Sequence, residues 1–191
     1  MRKLLLALGF VSLQVLASPT VLMKTSAGEM EIELNENEAP KTVDNFLRYV
    51  KEGFYNGTTF HRVIKGFMIQ GGGYDVNYEK RPTRGPIASE TQNGLKNDRG
   101  TIAMARTSDP HSATSQFFIN VVNNDFLNPG GADAYGYTVF GKVIKGMDVA
   151  DKIAALPTTA AGPFSQDVPE KPVIIESIKI LPEAENSADK K

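Results

Sequence analysis

Arg62 stands at the centre of the stretch of this chain whose residue types and spacing most suggest chemistry. Phe60 to Gly73 reads Phe-His-Arg-Val-Ile-Lys-Gly-Phe-Met-Ile-Gln-Gly-Gly-Gly. A permanent cation sits on an otherwise apolar alternating strand. A tight turn at Gly66 follows, and Phe67, Met68 and Gln70 come directly after it. A guanidinium beside an aromatic ring and a thioether describes an apolar pocket with one strong donor and no nucleophile. Such a pocket suits a reaction that makes and breaks no covalent bond. Neighbouring strand residues face opposite ways, so His61 and Arg62 are expected on different sides of the strand. On spacing alone His61 reads as a hydrogen-bonded structural histidine, and Arg62 as either a pocket donor or a solvent-facing cation.

A second dense patch is Thr114-Ser115-Gln116-Phe117-Phe118-Ile119. On a strand, Phe117 and Phe118 must lie on opposite faces, so one fills the core and the other is free to line a pocket. Asn124-Asp125-Phe126-Leu127-Asn128 is a loop that spends two apolar residues where polar ones are usual. It either closes over the core or walls a pocket. Other motifs fail. Gly71-Gly72-Gly73 lacks the Lys-Ser/Thr of a phosphate loop. His61 and His111 are too few and too dispersed for a zinc site. There is no G-x-S-x-G elbow to support a serine hydrolase.

The elements that position these residues follow from periodicity. Val21–Ser26 and Glu29–Leu34 read as a hairpin turning at Ala27-Gly28. Further strands are expected at Thr59–Lys65, Phe67–Gln70, Thr101–Ala105, Gln116–Val121, Thr138–Lys142 and Val173–Leu181. Val43, Phe46, Leu47 and Val50 recur at helical spacing after Pro40, which predicts a helix over Pro40–Glu52. A second helix is expected at Met147–Leu156, closed by Pro157. Eight short strands with two helices fit a mainly β fold: a closed eight-stranded antiparallel barrel capped by two α-helices. Periodicity alone leaves a two-sheet sandwich open. Tyr74–Asn97 and Pro157–Lys171 are expected to be long connections.

Length and composition set the frame. The 191 residues suffice for one domain, and 41% hydrophobic with 23% charged residues indicates a globular core. Residues 1–17 read as a secretory signal peptide: Arg2 and Lys3, an apolar run from Leu4 to Leu16, then Val15-Leu16-Ala17 before Ser18-Pro19. Residues 18–181 form the domain, and 182–191 read as a disordered charged tail. The whole chain carries 21 basic and 22 acidic residues, so removing Arg2 and Lys3 leaves a net charge of −3. That is too mild to imply nucleic acid or an anionic membrane. With no Cys in an exported chain, no disulfide framework exists and the core must supply stability.

Taken together, Phe60–Gly72, Thr114–Ile119 and Val139-Phe140-Gly141-Lys142-Val143 resemble, in order, three blocks of the cyclophilins, the cyclosporin-binding class of peptidyl-prolyl cis–trans isomerases. The resemblance covers Val21 to Leu181. With the leader and the Gly100–Thr107 block, it points to the periplasmic branch found in Gram-negative bacteria. It implies that Arg62 is the catalytic group and that Phe67, Met68, Phe118 and Leu127 wall a proline pocket. Gln70 and Gln116 would hold the substrate and orient the arginine, Ala105 and Arg106 would align the peptide backbone, and His61 would border the site. Phe126 and Tyr137 stand at the rim, where many members carry Trp and His. Arg106 replaces a common Asn, and Lys65 a common Pro. Phe has no N–H, so weak cyclosporin binding is expected. The resemblance implies no cofactor or metal, and a monomer acting on proline-containing unfolded or extended polypeptides as they fold after export. The alternative is a non-catalytic chaperone or adaptor that holds such segments in the same groove.

Overall fold

The computed structural model describes residues 18–182. The leader expected at residues 1–17 and, Pro182 aside, the tail expected at 182–191 lie outside the described residues.

Alternating burial builds the first hairpin. β1 (Thr20–Thr25) and β2 (Gly28–Leu34) pair antiparallel, with Met30, Ile32 and Leu34 turned inward. The helix α1 (Pro40–Lys51) follows, then β3 (Thr58–Ile64), β4 (Met68–Asp75), β5 (Thr101–Met104) and β6 (Phe117–Asn120). β7 (Val139–Lys145) leads into α2 (Met147–Ala154), and the chain closes with β8 (Thr158–Ala161), β9 (Phe164–Pro169) and β10 (Ile174–Ile180). The order β1-β10-β3-β4-β6-β5-β7-β2 closes on itself as an eight-stranded barrel, and every pair in it is antiparallel. Closure leaves no exposed barrel edge.

Both helices turn their apolar faces to one core. Val43, Phe46 and Val50 of α1 and Val149, Ala150 and Ile153 of α2 join the inward strand residues. Phe46 is fully buried, with the rings of Tyr55, Phe117 and Phe140 at 5.2, 5.9 and 5.3 Å. Truncating such a ring to Ala costs about 3–5 kcal/mol. The N-terminus of α1 is capped from afar: the Glu90 carboxylate accepts from the backbone N–H groups of Lys41 and Thr42 at 3.0 and 2.9 Å. That carboxylate supplies acceptors for two otherwise orphaned donors.

One stretch differs from the sequence expectation. Pro157–Lys171 is not a plain connection, because β8 and β9 form a separate two-stranded hairpin. Half of its strand residues are exposed and the others follow no apolar alternation, so nothing in the pattern announced it. The Tyr74–Asn97 connection lacks a regular strand beyond the end of β4 but is pinned along its length. The Arg84 N–H donates to the Tyr49 hydroxyl, and Asn93 donates to the Val139 carbonyl.

Candidate active site

The site grows from the outer face of the barrel wall. The register aligns Arg62 with Gln70 across β3 and β4, Gln70 with Phe118 across β4 and β6, and Phe118 with Ala103 across β6 and β5. Met68, Phe118, Leu127, Ala103 and Val139 form a small apolar cluster separate from the barrel core. Phe117 and Ile119, one position away on either side of Phe118, belong to the core.

β3 breaks the simple alternation. Phe60 pairs with Gly71 and Arg62 with Gln70, so His61 is the extra residue of a β-bulge. Phe60 and Val63 both point into the core, three positions apart, which leaves His61 and Arg62 on the outer side together. The expectation that they face opposite ways therefore does not hold. Bulges of this kind re-aim side chains beside functional sites.

Arg62, Phe67, Met68, Gln70, Ala105, Arg106, Phe118, Leu127 and Tyr137 line one open cavity of about 270 Å³. Its floor is apolar and buried, with Met68 and Phe118 almost inaccessible, while the Arg62 side chain is 44% exposed at its rim. Three residues named from sequence lie elsewhere. Gln116 lines an adjoining cavity of about 200 Å³, which shares Gln70, Ala105 and Arg106 with the first and adds Lys80, Thr83 and Ser112. Phe126 lies outside both, half-exposed and stacked on Phe67 at 5.5 Å. His61 lines neither. It is 2% exposed, packed between Tyr74 at 4.7 Å and Phe164 of β9 at 5.2 Å.

Polar contacts set the poise of the site. Gln70 donates to the Gln116 side chain at 3.0 Å. Gln116 fits there because residue 73 is glycine: a Cβ at Gly73 would lie 2.4 Å from the Gln116 side chain. The ion pair that Arg62 makes among the described residues is with Asp167 of β9, Nε to Oδ2 at 3.9 Å. Burial holds His61 neutral, lowering its pKa to about 4. The Thr59 backbone and Gln116 side chain favour the charged ring and offset this only in part, and the Arg62 charge adds to the lowering.

A family model described as cyclophilin type peptidyl-prolyl cis-trans isomerase/CLD matches residues 20–180. The chain belongs to the cyclophilin family. It is 59% identical over 170 residues to the peptidyl-prolyl cis-trans isomerase of Acinetobacter baylyi, covering 89% of each chain. Peptidyl-prolyl cis-trans isomerase A of Dickeya dadantii is 56% identical over 164 residues, 86% of this chain and 85% of the relative. The crystal structure of a Cryptosporidium parvum cyclophilin type isomerase in the presence of the dipeptide Ala-Pro superimposes with a TM-score of 0.70 at 30% identity. That match covers 85% of this chain and 99% of the other.

This cyclophilin holds its cavity rim with residues that sequence reasoning assigned otherwise or missed. The Arg106 side chain is only 3% exposed. It donates to the Gly136 and Thr107 carbonyls, pairs with Asp133 at 2.8 Å and lies over the Tyr137 ring at 4.5 Å. It thus ties the cavity edge to the loop before β7. Buried asparagines hold the wall that carries Leu127. Asn124 donates to the Phe67 carbonyl and to Asn120, and Asn97 donates to the Leu127 and Tyr137 carbonyls. Asn97 is fully buried, and in sequence it is an unremarked residue of a polar connection.

Proposed function

We propose that this peptidyl-prolyl cis–trans isomerase acts on exported polypeptides, with Arg62 as its catalytic group and the apolar cavity as the seat of the proline ring. One observation carries the reading: a permanent cation stands at the mouth of a cavity walled by Phe67, Met68, Phe118 and Leu127.

The mechanism follows from amide physics. Resonance gives peptide-bond rotation a barrier of about 18–20 kcal/mol. An X–Pro bond is nearly balanced between cis and trans, so only the barrier needs help. In the twisted transition state the prolyl nitrogen regains a lone pair. A donor aimed at that nitrogen binds more strongly there than in the ground state, which is the requirement for acceleration. Arg62 cannot lose its proton and supplies that donor. A charge-assisted bond of about 1.5–3 kcal/mol gives roughly ten- to a hundredfold in rate. Exclusion of water and retention of the peptide in a twisted form supply the rest.

Residues 1–17 direct export and are removed, and the domain of 18–181 works in the periplasm. There it acts as a monomer on proline-containing extended segments, without a cofactor. Cyclosporin binds weakly because Phe126 offers no N–H. The test is an X–Pro isomerisation assay with the wild type and Arg62→Ala. A ten- to hundredfold loss with an unchanged fold supports the reading, and wild-type rates in the variant overturn it. A protein that slowed proline-limited refolding would instead be a holding chaperone.

A further inference from the structure

We propose that Asp167 is a positioning residue for Arg62, which no sequence motif pointed to. The inference rests on the reading of Arg62 as the catalytic group. Two irregularities in the backbone aim the pair at each other. On β3 the bulge at His61 turns Arg62 to the outer face. On β9 the register shifts between the pairs Thr159–Val168 and Ala161–Phe164, so Ser165, Gln166 and Asp167 span the gap opposite Ala160. Asp167 sits in that gap with φ of 66°. A left-handed backbone is uncommon for a residue with a Cβ, and such conformations gather at functional sites. Tyr78 is the other non-glycine residue with positive φ among the described residues, and its ring packs against Phe164 of the same hairpin at 6.3 Å.

The hairpin is docked firmly enough to deliver a charge. Val168 is fully buried, and Phe164 stacks on His61 at the bulge itself. Gln166 donates to Asp167 Oδ2 at 3.2 Å. The carboxylate lies 3.9 Å from Arg62 Nε. That distance is a Coulombic contact, too long for a hydrogen bond. It engages the stem edge of the guanidinium and leaves the four N–H groups of the two terminal nitrogens unclaimed by the pair. Gln70 donates to Gln116, so the restraint on Arg62 comes from across the hairpin. A long, half-exposed side chain otherwise loses rotamer freedom each time it meets substrate, and a pre-set donor does not. Half-exposed pairs are screened by solvent, so the expected effect is modest, about two- to fivefold in kcat.

The experiment uses the whole domain with Asp167→Asn and Asp167→Gly, each alone and combined with Arg62→Ala. Asn keeps the shape and tolerates a left-handed backbone, and Gly relaxes the backbone altogether. Isomerisation of an X–Pro peptide gives kcat and KM separately, and the Arg62 Nε–Hε resonance reports the pair directly. The expected result is a two- to fivefold lower kcat with unchanged KM in both variants, a shifted Nε–Hε signal, and no further loss in the Arg62→Ala background. Unchanged kcat in both variants, while Arg62→Ala is slow, overturns the inference and leaves the catalytic reading standing. A loss that persists without Arg62 marks a merely structural hairpin and overturns it as well. Full activity in Arg62→Ala alone removes the catalytic reading itself.

Discussion

Arg62 and Gln70 face each other across the β3–β4 ladder, yet the Gln70 amide donates to Gln116. The glutamines thus form a tie across two strands, wedged against the bare backbone at Gly73. The tie separates the two cavities, since Gln70 lines both and Gln116 lines the second. It fixes the wall between the two cavities.

The Gln70–Gln116 tie is expected to act as a unit. A half-buried neutral hydrogen bond contributes about 0.5–1.5 kcal/mol, or roughly two- to tenfold in kcat/KM. Gln70→Ala and Gln116→Ala should each fall in that range, and the double variant should be little worse than either. Fully multiplicative losses in an X–Pro peptide assay would show that the two amides work separately.

Arg106→Ala is expected to raise KM with kcat within about twofold of wild type, because it removes a tether and not the donor. Hydrogen exchange should quicken from Asn128 to Tyr137, the segment that Arg106 ties through Gly136 and Asp133. The hydrogen bond from Arg106 holds the Asp133 carboxyl below its ordinary range. A carboxyl with a lowered folded pKa stabilises above its ordinary pKa and loses that contribution as pH falls through the lowered value. The wild-type loop should therefore loosen only in acid. Exchange rates equal to wild type in the variant would remove the tether.

The barrel was legible because inward residues alternate along β1 and β2; at Gly141 of β7 a Cβ would lie 2.5 Å from the Glu33 carbonyl. The cavity residues were legible through motif, not period. The bulge was not, since one extra residue shifts phase without changing composition. It moved His61 from a bordering position to a packed one. The β8–β9 hairpin was missed because its short strands show no apolar alternation, and Asp167 was missed with it. Glu90 at the α1 N-terminus and Asn97 beneath Leu127 act across dozens of residues of sequence, a separation at which no local pattern operates.

Phe126→Trp is expected to strengthen cyclosporin binding. Phe126 is 49% exposed and already stacked on Phe67, so a larger indole finds room without repacking the core. One added N–H donor is worth about 0.5–1.5 kcal/mol, or roughly two- to tenfold in Kd. Titration calorimetry of both proteins decides it. Equal affinities would mean that the ring at this position does not limit the ligand.

Isomerase activity is expected to stay flat from about pH 6 to 8, because His61 is neutral throughout that range and Arg62 remains charged. Stability should behave differently. The folded pKa of His61 is about 4, below the ordinary 6.5, so the unfolded chain takes up a proton in that window and the folded chain does not. Stability from this group is present above pH 6.5 and drains away as pH falls towards 4. The full shift corresponds to roughly 3 kcal/mol. His61→Phe keeps an aromatic surface against Tyr74 and Phe164 and removes the buried Nδ1, which has no partner among the described residues. Urea unfolding at about pH 7 and pH 4.5 should show a wild-type loss on the order of 2–3 kcal/mol from this group that the variant lacks. An activity step near pH 6 that disappears in His61→Phe would instead place the imidazole in the reaction, and the packing role assigned to it would fall.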